Sequence, residues 1–179
     1  MIALLFTIWG PVPSSRAQVA TVREAAPAAL PPSPIGLPIA GLRPEDIINT
    51  FDQKRGQERS HEANDIMARR GTPVLAVDSG TIRKLFYSKP GGITIYQFGE
   101  DETYCYYYAH LDRYAEGVKE GNHVQRGDLI GYVGSTGNAS PEAPHLHFAI
   151  FRLGADKRWW EGTAINPYPL LMRAIREAR

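Results

Sequence analysis

From residue 73 to residue 151 the chain alternates apolar and polar positions in short runs broken by glycine-rich turns. Pro73–Val77, Thr81–Phe86, Ile93–Phe98, Tyr104–Leu111 and His145–Phe151 are rich in β-branched and aromatic residues, and each predicts a strand. Gly71, Asp78–Gly80, Pro90–Gly92 and Gly99–Asp101 punctuate these runs at the spacing of an all-β sandwich or barrel. Gly127–Val133 adds a further strand behind a turn at Gln125–Asp128. Helical patterning is confined to Arg43–Asn49 and Leu170–Ala178, and no internal repeat is evident. The pattern therefore predicts a mostly β domain over about residues 39–170.

The ends read differently. Residues 18–38 are Ala- and Pro-rich, with Ala25–Pro34 at their centre, and have little to bury, so they predict an extended linker. Before them, Ile2–Trp9 is apolar but far short of the roughly 20 residues needed to cross a bilayer. It resembles the apolar segment of a secretory signal, with Ser15-Arg16-Ala17 as a small-residue cleavage site, although no Lys or Arg precedes it. Residues 1–17 are thus expected to be a signal segment, which predicts export to the periplasm or cell envelope without a stable membrane span. Residues 171–179 are expected to form a C-terminal helical tail.

Composition narrows the function classes. The 179 residues give room for one ordinary domain and an appendage, with 43% hydrophobic and 22% charged residues. A formal net charge of +1 and the lack of a basic run give no support for nucleic-acid binding. Cys105 is the sole cysteine, which rules out an intrachain disulfide. Lying in the run Tyr104–His110, it reads as a packed strand residue.

The candidate chemistry lies in the histidines, at positions 61, 110, 123, 145 and 147. On a strand His145 and His147 point to one face, suited to a metal ligand beside an acid/base group, while Leu146 and Phe148 face a core. His61 and Asp65 are four residues apart, about 13 Å in an extended chain, so they can share an ion only if the backbone bends between them. Glu62 is a competing carboxylate, but its adjacent position points it elsewhere. A His, Asp and His set leaves a fourth position open for water, the arrangement of a catalytic zinc; manganese or iron also suits these donors. Tyr106 and Tyr108 fall on the face of His110 in a regular strand and read as packing residues. His123, in a Gly-Asn-His loop, reads as a surface residue. Trp159 and Trp160 read either as flanking a substrate or as capping an edge of the fold.

Arg59–Ile66, Arg70–Val77, Tyr107–Asp112, Gly127–Asn138 and Pro144–Phe148 stand in the order found in lysostaphin-type (LytM-like) zinc metallopeptidases, and over residues 39–170 the chain resembles that family. The resemblance implies a compact β-sandwich or barrel-like domain of the duplicated-hybrid-motif type with short flanking helices. It implies one zinc ion per chain held by His61, Asp65 and His147, with His110 and His145 as unligated catalytic histidines. It also implies hydrolysis of peptide cross-links in bacterial peptidoglycan, with peptide stems as partners. The family commonly carries a glycine and an aliphatic residue where this chain has Ala63 and Asn64.

Three rivals remain. Some relatives of this family have lost their ligands and bind cell wall or activate amidases, whereas this chain has every candidate ligand. A metallopeptidase acting on proteins would use the same chemistry. Gly71–Ile82 resembles the opening hairpin of a biotinyl or lipoyl carrier, but Lys84 and Lys89 lack the tight-turn setting of a modified lysine.

Overall fold

The computed structural model describes residues 34–55 and 59–178. The expected signal segment and most of the expected linker lie outside these residues. Among the described residues eleven strands follow one another: β1 Lys54–Arg55, β2 Arg59–Ser60, β3 Asn64–Met67, β4 Pro73–Leu75, β5 Gly80–Ser88 and β6 Gly92–Gly99, then β7 Tyr104–Tyr114, β8 His123–Val124, β9 Leu129–Val133, β10 His145–Arg152 and β11 Thr163–Ile165. A 3-10 turn covers Pro44–Asp46 in place of the helix expected over Arg43–Asn49, because extended backbone at Ile47 ends it after one turn. Helix α1 spans Tyr168–Glu177.

All pairings are antiparallel, and nine strands form one sheet with the path β11-β10-β7-β6-β5-β8. One edge of β10 pairs with β3 through residues 145–148 and with β11 through residues 150–152, while its other edge pairs with β7. β7 in turn hands over from β10 to β9: Ala109 lies opposite His147, and Leu111 opposite Val133. Each predicted strand is present, and the mostly β architecture holds. β1, β2, β3, β8 and β11 are too short to carry a periodic signal.

The alternation places Leu146, Phe148 and Ile150 of β10, Tyr106 and Tyr108 of β7, and Ile66 of β3 in one buried cluster. The two core tyrosines need polar partners. Tyr108 donates its hydroxyl to Gln97 at 2.9 Å and accepts the Val77 N–H at 3.0 Å, and Tyr106 donates to Asp78 at 2.9 Å. Leu171 and Ile175 of α1 enter the same cluster, so the helix packs on the domain and the expected boundary at residue 170 falls inside it. Residues 34–38, the end of the expected linker, are also packed: Ile35 is buried and the Gly36 N–H donates to the Val77 carbonyl at 2.6 Å. Cys105 is buried against Phe98 and Leu153, and burial raises its thiol far above the ordinary range.

Candidate metal centre and active site

β3, β10 and β7 lie side by side with Asp65 opposite His147 and His147 opposite Ala109. Residues paired across antiparallel strands have Cβ atoms about 4.5–5.5 Å apart, so this row brings Asp65 against His147, with only a methyl group on the far side. His61 arrives from the preceding bend, in which Glu62 takes a positive φ of 54°. That bend meets the demand set by the His61–Asp65 spacing. His61 Nε2 and His147 Nδ1 are each 3.0 Å from Asp65 Oδ1 and 3.0 Å from each other. These three groups form a potential metal-ion cluster.

The donors are held by the segment before β1. Thr50 accepts the His61 Nδ1–H on its carbonyl at 3.0 Å, which fixes the tautomer with Nε2 turned to the cluster. Its hydroxyl donates to the Ala63 carbonyl at 3.2 Å and accepts the Asp65 N–H at 3.1 Å. One residue therefore orients two of the three candidate ligands. Backbone bonds from His61 N to Gln53 O and from Glu62 N to Phe51 O, both 2.9 Å, complete the clamp. Asn64, fully buried, donates Nδ2 to the Ile48 carbonyl at 2.7 Å, while its Oδ1 has no hydrogen-bond partner among the described residues. With Ala63 and Asn64 in the motif, the bend and the donor triangle still form. Thr50→Val keeps the shape but leaves the Asp65 N–H without its acceptor. Metal affinity is expected to fall by about 10–100-fold, read by competition with a chelating dye, and an unchanged affinity would remove Thr50 from this role.

His110 reaches the cleft through a β-bulge. From Ile93 to Ile95 β6 advances two residues while β7 advances three, from Leu111 to Tyr108. His110 takes up the excess with a φ of 58°, a strained conformation for a residue other than glycine. It thereby lines the cleft with Tyr107 and Ala109, while Tyr106 and Tyr108 stay in the core. The packing expected for the two tyrosines holds; the shared face with His110 does not, because the bulge breaks the two-residue period.

The His110 ring is held from a loop. Its Nδ1–H donates to the Thr136 carbonyl at 2.8 Å, and the Thr136 hydroxyl donates to the Leu111 carbonyl at 2.7 Å. The loop reaches it because Gly92 and Gly137, both at positive φ, pack backbone to backbone. A Cβ on Gly137 would lie 2.3 Å from Gly92 N. His145 similarly donates Nδ1–H to the Ala143 carbonyl at 2.9 Å, and its Nε2 lies 3.8 Å from Asp65 Oδ1. Both rings thus carry a proton on Nδ1 and, when neutral, an acceptor at Nε2.

Charge follows from burial and partners. Burial works to raise the Asp65 carboxyl, but hydrogen bonds and charge interactions with His147 and His61 outweigh it and hold the group below the ordinary carboxylate range. Burial lowers His147, against the pull of Asp65. His110, 7% exposed, is lowered to about 4, chiefly by burial. Between about pH 6.5 and 4 the unfolded chain therefore takes up a proton at this position that the folded chain does not. Metal-free protein is expected to lose up to about 3 kcal/mol of stability from this residue as pH falls through that window. Denaturant melts at pH 7 and pH 4.5 read the loss; His110→Asn should reduce it, and an unchanged pH slope would refute the assignment.

All five groups singled out by the resemblance line one cleft of about 470 Å³, together with Glu62, Tyr107 and Phe151. Glu62 is outside the donor triangle, as expected, but forms part of the wall. His123 lies away on β8, exposed and paired with Glu100 at 2.6 Å. Trp159 packs on Tyr96, and Trp160 stands 63% exposed over an adjoining pocket. A larger pocket of about 560 Å³, lined by residues of the 152–163 segment, shares no residue with the donor cluster. Sequence reasoning missed Thr50, whose contacts span 11 to 15 residues, and gave Tyr107 no role of its own in the cleft.

Known proteins share this arrangement of sequence and fold. The L-Ala--D-Glu endopeptidase of Bacillus subtilis is 35% identical over 121 residues, which cover 65% of this chain and 36% of that protein. The peptidoglycan DD-endopeptidase ShyC of Vibrio cholerae is 35% identical over 116 residues, covering 62% of this chain and 26% of that protein. The chain thus spans about a third or less of the length of these relatives. Among solved structures, the catalytic domain of the antimicrobial peptidase lysostaphin from Staphylococcus simulans superposes with a TM-score of 0.58 at 33% identity, covering 69% of this chain and 89% of that one. A zinc containing peptidase from Vibrio cholerae gives a TM-score of 0.57 at 26% identity, covering 66% of this chain and 36% of that one. With residues 59–167, more than half of its length, matching the family profile, the chain belongs to peptidase family M23.

Proposed function

We propose that this protein is a zinc-dependent endopeptidase that hydrolyses peptide cross-links of bacterial peptidoglycan and acts outside the cytoplasm. The observation that carries this reading is the donor triangle of His61, Asp65 and His147 set in a cleft with two further histidines. Two imidazoles and one carboxylate suit zinc, whose ligand distances of about 2.0–2.2 Å separate tetrahedral donors by about 3.3–3.6 Å. The observed triangle, with 3.0 Å edges, is slightly tighter than that. Three protein ligands leave a fourth position open, as catalytic sites require. When bound, zinc polarises a carbonyl and lowers the pKa of a coordinated water to about 7.

The chain's own residues do the rest. Thr50 holds His61 and Asp65, so the cation site is organised before substrate arrives. His145 Nε2, beside the carboxylate of Asp65, accepts a proton in the cleft while its Nδ1–H stays on the Ala143 carbonyl. His110, its ring centroid 4.9 Å from that of His145, is held neutral by burial and offers the second Nε2. Between them the two rings accept the proton of the attacking water and return one to the leaving amine. The relatives named as endopeptidases, one of them acting on peptidoglycan, support the substrate class. The apolar run Ile2–Trp9 supports export.

Digestion of purified peptidoglycan with mass spectrometry of the new termini tests the reading. New free amino and carboxyl ends should appear with zinc and vanish with a chelator. Intact cross-links after incubation with zinc-loaded protein, or equal cleavage by metal-free protein, would sink it.

A further inference from the structure

Beside the metal cleft lies a second pocket of about 390 Å³, lined by Tyr96, Tyr107, Phe151, Trp159, Trp160, Gly162 and two carboxylates, Glu62 and Glu161. Glu62, Tyr107 and Phe151 also line the metal cleft, so the two spaces adjoin along these three residues. The aromatic rings form one chain leading away from a candidate ligand. Tyr107 meets His147 edge-on at 5.9 Å, Tyr96 lies 4.6 Å from Tyr107, Trp159 4.7 Å from Tyr96, and Trp160 5.2 Å from Trp159. Gly162 lets this wall close, since a Cβ there would stand 2.9 Å from the Phe151 Cβ and 2.8 Å from the Arg152 carbonyl.

The chemistry of the lining is one-sided. Among the described residues it contains five aromatic residues and two acids, with no Lys, Arg or His. Glu161 is paired with Arg158 at 3.1 Å, whereas Glu62 makes no ion pair among the described residues and is exposed at the junction of the two spaces. Aromatic faces with a nearby carboxylate recognise alkylammonium groups, through the ring quadrupole and direct charge attraction. We infer that this pocket is a specificity subsite for a residue of the peptide substrate that carries a free side-chain amine. The amine would sit against Trp160 and Tyr96 with Glu62 as its counter-charge, and its alkyl stem would lie along Tyr107 and Phe151. The inference rests on the proposed peptidase reading, because it needs a peptide to cross from one space into the other.

The test uses the full chain carrying His147→Ala, which binds without turnover, so that its outcome is separate from that of the hydrolysis assay. Quenching of tryptophan fluorescence is followed with a short lysine-containing peptide, its Nζ-acetylated counterpart and its norleucine counterpart. The lysine peptide should bind about tenfold more tightly than either, with the gap narrowing as salt rises. Trp160→Ala and Glu62→Gln change exposed side chains and should each shrink that gap by about threefold or more. Equal affinity for the three peptides would overturn the subsite. So would a preference that survives both substitutions, or quenching by N-acetylated glycan oligomers with none by the lysine peptide.

Discussion

In the His147→Ala protein, bound zinc is expected to fall from about one ion per chain to near none, and peptidoglycan cleavage to drop about 10³-fold or more. The reason lies in the triangle. His61 Nε2 and Asp65 Oδ1 remain 3.0 Å apart, but two donors do not make the three-ligand set of a catalytic site. Losing the ion removes Lewis-acid stabilisation worth several kcal/mol, and each 1.36 kcal/mol or so is tenfold in rate. The fold should survive, because the His147 side chain faces the cleft and its strand pairing with Asp65 and Ala109 is made by the backbone. Metal analysis, circular dichroism and a digestion assay read the three parts separately. Full zinc content with full activity would remove His147 from the ligand set.

His145→Ala should behave in the opposite way with respect to metal. Its Nε2 is 3.8 Å from Asp65 Oδ1 and outside the donor triangle, so zinc content is expected to stay near the parent level. Turnover is expected to fall by about 10²–10⁴-fold, the usual yield of a positioned acid or base. His110→Ala should lose activity in the same range, and the double variant should lose less than the product of the two if the rings share one proton path. Retained activity in both single variants would leave the cleft without its proposed proton carriers.

The strands that carry the site were legible because alternation is a local signal. His145 and His147 share a face with Leu146 and Phe148 opposite, and the structure keeps that arrangement with both apolar side chains fully buried. The bend between His61 and Asp65 was legible as a requirement, since spacing alone forbade an extended segment. Its cause was not legible: a positive φ at Glu62 and a clamp from residues 50–53 depend on contacts the local pattern does not encode. The face of His110 was misread for a related reason. A bulge arises from the unequal advance of two paired strands and leaves no mark on the period of either one. Trp159 and Trp160 were open between two readings, and their loop is placed by its packing against β10.

The sequence by itself thus determined the mostly β class, the core faces of the long strands, and the imidazoles and carboxylate available as candidate ligands. Period-two patterning and donor chemistry are properties of neighbouring residues. The tertiary structure alone decided that His61 and Asp65 meet His147 across 82 to 86 residues of chain, that Thr50 orients two of the three, and that His110 turns into the cleft. It also opened the aromatic pocket beside them. These follow from strand register, a bulge and a loop contact, which are set by the collective packing of distant segments and so lie outside any local pattern.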